Sequence, residues 1–266
     1  MSNGLFWIIG CGNMAGAMVR RWIETGLDAS QVRVVDPALP DLPGGLSVLP
    51  AIAADTAPAA KILLAVKPQM LDAVTADVAR LAGPETRILS ILAGVEIAAL
   101  KDRFPHAARI VRVMPNLPAA LGKGVIALHS PDGPDDRTNA LMAPLGLVEW
   151  IEDEGMLHLV AALAASGPAF LYRFIDALGI AGARLGLAPD QSARLALATV
   201  EGSALLAAQS GERPDVLADR VASKGGMTRE GLNVLDAEEA LIRLLTATLD
   251  AAARRSVEMG DAVRRD

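Results

Sequence analysis

The chain has 266 residues, of which 52% are hydrophobic, 21% charged and only 3% aromatic. It can therefore bury a sizeable core, and its few aromatic rings and net charge of −6 argue against nucleic acid as a partner. The single cysteine, Cys11, excludes an internal disulfide and a thiolate metal cluster, and the three histidines lack the spacing of a zinc site, so we predict no metal.

Short apolar runs alternate with helical patterns over the first part of the chain. Each run is continuous, which is typical of strands buried on both faces. Helical patterns over residues 15–25 and 70–82 separate several runs. This alternation predicts an α/β, Rossmann-like, doubly wound parallel sheet whose strand carboxyl ends share the ligand-binding edge. The six predicted strands cover residues 5–9, 32–35, 62–66, 88–91, 110–113 and 125–128.

A change in composition divides the chain near residue 153. Thirteen of the 16 prolines precede residue 155, and the later sequence is rich in alanine and leucine. We predict a dinucleotide-binding domain over residues 1–153 and an all-helical substrate-binding and dimerisation domain over residues 154–266. So much apolar helix surface predicts a homodimer or a larger assembly.

Residues typical of helix starts and helix ends occur in the second part of the chain. Pro189 and Pro214 are each expected to open a helix, Gly211 to end one, and Asp236 to cap the next. No apolar run reaches the about 18 residues of a membrane span, and the start of the sequence lacks the regions of a signal peptide. We therefore expect a soluble, cytoplasmic protein that does not engage a membrane.

A glycine-rich turn follows the first predicted strand. Gly10 allows a tight turn, Gly12 lets the backbone approach a pyrophosphate, and Ala15 allows close contact between helix and strand. The pyrophosphate would then lie at the helix N-terminus. A glycine turn that serves packing alone is the alternative. The predicted cofactor contacts in this turn are Gly10, Cys11, Gly12, Asn13 and Met14.

Asp36 ends the second predicted strand, 24 residues after Gly12. A carboxylate at that place accepts hydrogen bonds from both ribose hydroxyls of NADH and repels the 2′-phosphate of NADPH. No arginine or lysine follows it before Lys61, so the sequence favours NADH. The alternative is that Asp36 faces solvent at the start of a proline-rich loop.

Two further loops carry candidate contacts. Lys67 lies in the turn after the third predicted strand, where it either lines the nicotinamide ribose or is an ordinary solvated lysine. Gly225 and Gly226 precede a helical pattern, and their backbone N–H groups could bind a carboxylate. Thr228 offers a hydroxyl, although it could instead cap the helix.

Nucleophilic catalysis is not supported by the sequence. There is no GxSxG motif, and Ser166 has no recognisable base. His158 lies in an apolar stretch, which favours a core or interface histidine. Cys11 is expected to be a small buried residue and not a nucleophile.

Several motifs then occur in one order from residue 8 to about residue 236. They are IIGCGNM, AVKPQ, LAGV, VRVMPNLPA, SGPAF and SKGGMTREGL. The combination of MPN-x-PA, SGPAF and GG-x-T is the specific part of the pattern. In these motifs the sequence resembles the pyrroline-5-carboxylate reductase family.

The resemblance implies a fold, a reaction and a set of site residues. The family has a Rossmann domain and a helical dimerisation domain, and some members assemble into rings of dimers. It reduces 1-pyrroline-5-carboxylate to L-proline with NADPH or NADH. By position, Thr228 corresponds to the threonine that hydrogen-bonds the substrate nitrogen, and Glu154 to an acidic position near the substrate. The implied carboxylate-binding residues are Gly225, Gly226 and Met227; the implied cofactor contacts are Ala65, Val66, Lys67, Pro68, Leu92 and Ala93.

The sequence departs from the family pattern at a few positions. Lys224 replaces a frequent proline and Met227 a frequent threonine or alanine, which leaves the range of imine substrates open. Thr56 replaces an asparagine near the adenosine ribose, which leaves the cofactor preference open.

We expect hydride to pass to the imine carbon while Thr228 orients the substrate and relays a proton, because a threonine is too weak an acid to protonate by itself. Two alternatives remain. One is a non-catalytic dinucleotide-binding regulator. The other is a reductase of another cyclic imine or a keto acid, in which Lys224, the only lysine after residue 123, would donate the proton.

Overall fold

The computed structural model describes residues 4–54 and 56–265, which separate into two compact units. One unit comprises the chain up to Ala165 together with residues 252 onward, and the other is Ser166–Ala251. The predicted domain boundary near residue 153 stays a prediction, because compact units and family domains are different divisions of a chain.

An eight-stranded sheet forms the centre of the first unit. Its strands lie in the order β3-β2-β1-β4-β5-β6-β7-β8, and the neighbours are parallel except for β6 and β7, which confirms the predicted doubly wound architecture. The strands are β1 (Phe6–Ile9), β2 (Val32–Val35), β3 (Ser47–Leu49), β4 (Lys61–Leu64), β5 (Arg87–Ser90), β6 (Arg109–Met114), β7 (Gly124–His129) and β8 (Gly146–Trp150).

Helices cover both faces of this sheet. Phe6 and Ile8 of β1 pack on one face, where the Phe6 ring meets the Trp22 ring edge-on at 5.5 Å. Trp7 and Ile9 pack on the opposite face. The predicted burial of the strand on both sides is therefore confirmed. The helices of the first unit are α1 (Asn13–Glu24), α2 (Leu71–Leu81), α3 (Ile97–Arg103), α4 (Asp136–Met142) and α5 (Leu157–Val160).

Strand β7 runs antiparallel to β6, whereas the sequence predicted only parallel strands. The chain between them holds the 3₁₀ turn Leu117–Leu121 and no crossover helix. A parallel crossover needs about a dozen residues or more, so the chain turns back instead. β3 and β8 were not predicted, because both are edge strands with half-buried side chains and not continuous apolar runs.

The second unit is helical, as predicted. Pro189 opens one helix, Gly211 ends it with φ +69°, and Pro214 opens the next, so these predictions are confirmed. The Asp236 prediction is wrong: Asp236 is the last residue of a helix and makes no capping hydrogen bond. The chain continues through a 3₁₀ turn in which Glu238 has φ 49°, so a regular helix restarts only at Ala240. The helices are α6 (Gly167–Arg184), α7 (Pro189–Ser210), α8 (Pro214–Val221), α9 (Met227–Asp236) and α10 (Ala240–Arg265), whose last turns belong to the first unit.

Small residues join α6 to α7. The hydroxyl of Ser192 donates to the carbonyl of Gly179 at 2.7 Å, and a Cβ atom on Gly179 would lie 3.2 Å from the Cα of Ala193. Large apolar side chains of α6 lie elsewhere on the helix and are each more than 40% exposed in the single chain. They are Leu171, Tyr172, Phe174, Leu178 and Ile180.

Asn116 connects three segments of the first unit. Its Nδ2 donates to the carbonyl of Ala164 at 2.9 Å, and its Oδ1 accepts from the N–H of Val125 at 2.9 Å. Ala164 lies in the π-helical turn Ala161–Ala165, four residues before Pro168. Because proline has no N–H, the usual donor to the Ala164 carbonyl is missing. The side chain of Asn116 supplies that donor.

Replacing Asn116 tests this connection. Asn116→Ala should lower the free energy of unfolding by about 1–3 kcal/mol, because it leaves the Ala164 carbonyl and the Val125 N–H without partners. Asn116→Asp keeps an acceptor for Val125 but places a buried carboxylate oxygen against the Ala164 carbonyl, so its loss at neutral pH should be at least as large. Urea unfolding followed by circular dichroism measures both, and a change below ~0.5 kcal/mol for Asn116→Ala would contradict the assignment.

Candidate functional site

Gly10 ends β1 in a left-handed conformation, with φ +84°. A Cβ atom at this position would lie 2.8 Å from the nitrogen of Val66 and 2.9 Å from the carbonyl carbon of Ala65. The turn after β1 therefore touches the turn after β4 through backbone alone, which only glycine allows. The N–H of Gly10 also donates to the carbonyl of Val35 at 2.8 Å. Three strand ends thus converge at this glycine.

The N-terminus of α1 points out of this turn. Gly12 is the extended N-cap residue of α1, no side chain caps the helix, and its first turn holds no acidic residue. A Cβ atom on Gly12 would meet nothing within 4 Å, so the space above the turn is open. Behind it, Ala15 is 1% exposed against the core. Open N–H groups at a helix N-terminus form an anion-binding site.

Asp36 lies beside the same turn. Its Oδ2 accepts from the N–H of Cys11 at 2.7 Å, and its Oδ1 accepts from the N–H of Ala38 at 2.9 Å. These two bonds fix the half-buried carboxylate at the end of β2. A carboxylate has about four acceptor sites, so two remain for the hydroxyls of a ligand.

A cleft of about 350 Å³ opens over this edge of the sheet. Seven predicted cofactor contacts line it, namely Gly10, Cys11, Gly12, Asp36, Ala65, Val66 and Lys67. Five others lie outside its lining, namely Asn13, Met14, Pro68, Leu92 and Ala93.

Sequence reasoning missed the other wall of the cleft. One residue of this wall follows β2, three follow β3, a strand that the sequence patterns did not predict, and three precede or belong to α2. No motif marked these residues. They are Pro37, Pro50, Ala51, Ile52, Met70, Val74 and Asp77.

The charge in the cleft is more negative than positive. Among the described residues that line it, Asp36 and Asp77 are acidic and Lys67 alone is basic. Asp77 forms an ion pair with Arg80 at 2.8 Å, whereas both oxygens of Asp36 accept only backbone N–H groups. The carboxylate of Asp36 therefore carries an uncompensated charge next to the glycine turn.

Cys11 is 7% exposed in the same turn. Burial and the neighbouring Asp36 carboxylate raise the pKa of its thiol to about 11, against a smaller lowering effect of Arg20. A thiol with such a pKa is almost fully protonated at neutral pH, so it is a poor nucleophile.

The loop from Ser223 to Met227 leads into α9 in the second unit. Gly225 is left-handed with φ +69°, and the N–H of Gly226 donates to the carbonyl of Ser223 at 2.9 Å. Gly226 is the N-cap residue of α9, so the N–H groups of Met227 and Thr228 are at the open start of the helix. Within the described part of the chain, the hydroxyl of Thr228 makes no hydrogen bond.

Glu154 lies in the first unit, away from the lining of the cleft. Its Oε1 accepts from Nη1 of Arg112 at 2.9 Å and from the N–H of Ile97 at 2.8 Å. Its predicted contact with substrate stays a prediction, but the structure already gives this carboxylate two partners. The motif VRVMPNLPA contains Arg112, but nothing in the sequence paired Arg112 or Ile97 with Glu154.

Two models of known protein families match separate parts of the chain. The sequence model for NADP oxidoreductases, coenzyme F420-dependent, matches residues 6–94, and the model for pyrroline-5-carboxylate reductase dimerisation matches residues 154–259. The pyrroline-5-carboxylate reductase of Pseudomonas aeruginosa is 32% identical over 98% of both chains. The chain belongs to the pyrroline-5-carboxylate reductase family.

Solved structures of the family have the same fold. The reductase from Coxiella burnetii is 28% identical, with a TM-score of 0.86 over 97% of this chain and 98% of its own. The Plasmodium falciparum enzyme, solved with NADP bound, is 25% identical, with a TM-score of 0.79 over 98% of this chain and 99% of its own. The family and this neighbour support a nicotinamide dinucleotide as the cofactor.

Membership of the family also bears on the exposed helices. The segment Glu154–Arg184 is long and apolar enough to cross a membrane by length and composition, and only 11% of its most apolar stretch is buried. The same segment begins the dimerisation match, which supports a homo-oligomer. An apolar helix in an oligomer interface meets the same criteria as a membrane span.

The rate of alkylation measures the protonation state of the Cys11 thiol. Iodoacetamide should react slowly at pH 7.5, and the rate should rise with a midpoint near pH 11. Asp36→Asn removes one of the two effects that raise the pKa of the thiol, so the midpoint should fall. Asp41→Asn, an exposed change on the following loop, is the control. Rapid alkylation of the unmodified protein at pH 7.5 would contradict the assigned pKa.

Proposed function

We propose that this chain reduces 1-pyrroline-5-carboxylate to L-proline as part of proline biosynthesis. The observation that carries the proposal is the match to a reductase of this activity over 98% of both chains. The chain also has the two parts that the reaction requires, a dinucleotide-type cleft in the first unit and a glycine loop at the start of α9 in the second.

The reaction needs one hydride and one proton. A bound NADH or NADPH supplies the hydride from its nicotinamide ring. The imine carbon accepts this hydride, the ring nitrogen gains the proton, and the C=N bond becomes the C–N single bond of L-proline. The chain must therefore hold the substrate at a fixed place and assist protonation at nitrogen.

The loop before α9 is suited to hold the substrate carboxylate. Gly225 takes its left-handed turn without steric cost, and a Cβ atom there would meet nothing within 4 Å. The N–H groups of Gly226, Met227 and Thr228 precede or begin α9, where the helix dipole favours an anion, although that of Gly226 already donates to Ser223. The ion pair between Arg229 and Asp219, 2.6 Å apart, ties the start of α9 to α8.

Thr228 is suited to contact the ring nitrogen. Its side chain is half-buried, and its hydroxyl makes no hydrogen bond in the described chain, so it can donate to a ligand. We infer that it orients the imine and relays a proton from solvent, because its own acidity is too low for direct proton donation at neutral pH.

Thr228→Ala should lower kcat/KM for 1-pyrroline-5-carboxylate by about ten- to a thousand-fold, or ~1.4–4 kcal/mol, because the hydrogen bond to nitrogen is lost. Thr228→Ser keeps the hydroxyl and should retain most of the activity. The kcat/KM of each variant is measured from the steady-state rate of cofactor oxidation, with the cofactor at a saturating concentration.

Lys224→Ala is the matched control in the same loop. Lys224 is exposed, and we expect its removal to leave kcat/KM close to the original value. An unchanged kcat/KM in Thr228→Ala would remove Thr228 from the mechanism. Loss of all activity in Lys224→Ala would favour the reductase of another substrate in which this lysine donates the proton.

We further propose that NADH is the preferred cofactor. The carboxylate of Asp36 is fixed by the N–H groups of Cys11 and Ala38, whereas Asp77, on the opposite wall, is paired with Arg80. A 2′-phosphate placed beside Asp36 would be repelled, whereas ribose hydroxyls can donate to it. Lys67, which is exposed, is the lone basic residue among the described cleft residues.

Parallel assays with NADH and NADPH test the activity and the preference together. Both rates are followed by loss of absorbance of the reduced cofactor with 1-pyrroline-5-carboxylate. We expect a higher kcat/KM with NADH, and Asp36→Asn should shift the ratio toward NADPH by about ten-fold or more, or ~1.4 kcal/mol.

Asp77→Asn removes the same charge from the opposite wall of the cleft and should shift the ratio much less. A preference of the unmodified enzyme for NADPH would overturn the assigned role of Asp36. Oxidation of neither cofactor, by protein that binds a dinucleotide, would overturn the proposed substrate and favour a regulator or another reductase.

The assembly we propose is a homodimer, with a larger ring of dimers as the alternative, in the cytoplasm. The exposed apolar side chains of α6 are continued on α7 by Leu195, Leu197, Leu205 and Leu206, each at least 49% exposed in the single chain. A second copy that covers these faces would remove them from water. The match to a dimerisation domain over residues 154–259 supports this arrangement.

A further inference from the structure

The last turns of α10 pack directly on the loop that joins β5 to α3. Gly94 in this loop has φ +76°, and a Cβ atom on it would lie 2.9 Å from the Cα of Gly260 and 3.3 Å from its nitrogen. The two backbones are therefore in contact with no side chain between them. One turn earlier, the hydroxyl of Ser256 lies 2.9 Å from Nδ1 of His158, within hydrogen-bonding distance.

The far end of the same loop is held by a second contact. The N–H of Ile97, at the start of α3, donates to Oε1 of Glu154 at 2.8 Å. The same oxygen accepts from Arg112 at 2.9 Å, and Arg112 is 4% exposed within the sheet. The loop is thus fixed at Gly94 by α10 and at Ile97 by the carboxylate of Glu154, which forms a partly buried ion pair with Arg112.

The loop lies at the carboxyl edge of the sheet, next to the dinucleotide cleft. The N–H of Ile91 donates to the carbonyl of Leu64 at 3.0 Å, so β5 ends beside β4. The turn after β4 lines the cleft through Val66 and Lys67. In doubly wound folds a dinucleotide extends across the strand ends from the glycine turn, so the half farther from β2 faces the ends of β4 and β5.

We propose that Gly260 is a positioning residue for the nicotinamide half of the cofactor, acting through Gly94 and the loop of residues 92–96. This rests on the proposed function, since it requires a nicotinamide dinucleotide in the cleft. The adenosine half would lie at Asp36 and the glycine turn, where β1 and β4 separate the end of β2 from the end of β5 that precedes this loop. Displacing the end of α10 should therefore affect one half of the cofactor and not the other.

Two substitutions at Gly260 distinguish a side chain that fits against Gly94 from one that displaces the end of α10. A Cβ atom on Gly260 would lie 3.5 Å from Cε1 of His158 and 3.6 Å from the carbonyl oxygen of Gly94, which is ordinary contact. Gly260→Ala should therefore fit. Gly260→Val adds two methyl groups beyond that atom and should push the helix away from the loop.

The measurement is the Kd of NADH and of ADP-ribose for each variant, by calorimetry on the full-length protein without substrate. ADP-ribose has the adenosine, the pyrophosphate and the second ribose but no nicotinamide, and neither ligand has a 2′-phosphate. Gly260→Val should weaken NADH about ten-fold and change ADP-ribose less than two-fold. Gly260→Ala should change neither.

Equal weakening of both ligands by Gly260→Val would show a purely structural role and overturn the proposal, as would unchanged NADH binding. If Gly260→Val does not fold, Ser256→Ala replaces it, because it removes only the hydroxyl that faces His158. A selective loss of NADH affinity, smaller than ten-fold, is then expected, and an equal loss for both ligands or no loss overturns the proposal.

The proposed substrate is tested apart from this. Unmodified protein that binds NADH but does not reduce 1-pyrroline-5-carboxylate would overturn the substrate and leave the role of Gly260 to be decided by the two Kd values. Unmodified protein that binds neither ligand would overturn the role of Gly260 and the NADH preference, and the assay with NADPH would then decide the substrate.

Discussion

Backbone contact at Gly10 determines the shape of the ligand-binding edge. The chain leaves β1 through a left-handed glycine that touches Ala65 and Val66, so no side chain separates the turns after β1 and β4. That closeness brings the start of α1 to the cleft and lets the N–H of Cys11 donate to Asp36. The positive end of α1 and the carboxylate of Asp36 are therefore placed side by side by one backbone contact.

The sequence predicted the parts of the site that depend on short-range pattern. A glycine turn between a strand and a helix, followed by an acid at the end of the next strand, predicts a dinucleotide site. The prediction is possible because both features lie within one β-α-β unit. The wall beyond β3 was missed because a three-residue edge strand, Ser47–Leu49, has too few buried side chains to form a pattern. The pairing of Arg112 with Glu154 was missed for another reason: the residues are 42 positions apart, and no local periodicity reports such a contact.

The two edges of the sheet differ in how their polar groups are paired. At the amino edge Arg87 lies 2.7 Å from Asp135, and Arg109 lies 3.2 Å from it. Burial raises the pKa of Asp135, but hydrogen bonds from Thr138 and the two arginines outweigh it, so the pKa lies below its ordinary value. Two arginines share this one carboxylate, and their ion pairs hold β5 and β6 to the start of α4. At the carboxyl edge the open groups are backbone N–H donors, which can bind a ligand without first breaking an ion pair.

The exposed apolar faces of α6 and α7 make the stability of this chain depend on the protein concentration. A side chain such as Tyr172, 60% exposed in the single chain, would be buried if a second copy covered α6. Part of the driving force for the native state is therefore bimolecular, and the apparent melting temperature should rise with the amount of protein present. A newly made chain exposes these apolar faces until it pairs with a second copy. Fast assembly, as well as stability, therefore limits its aggregation.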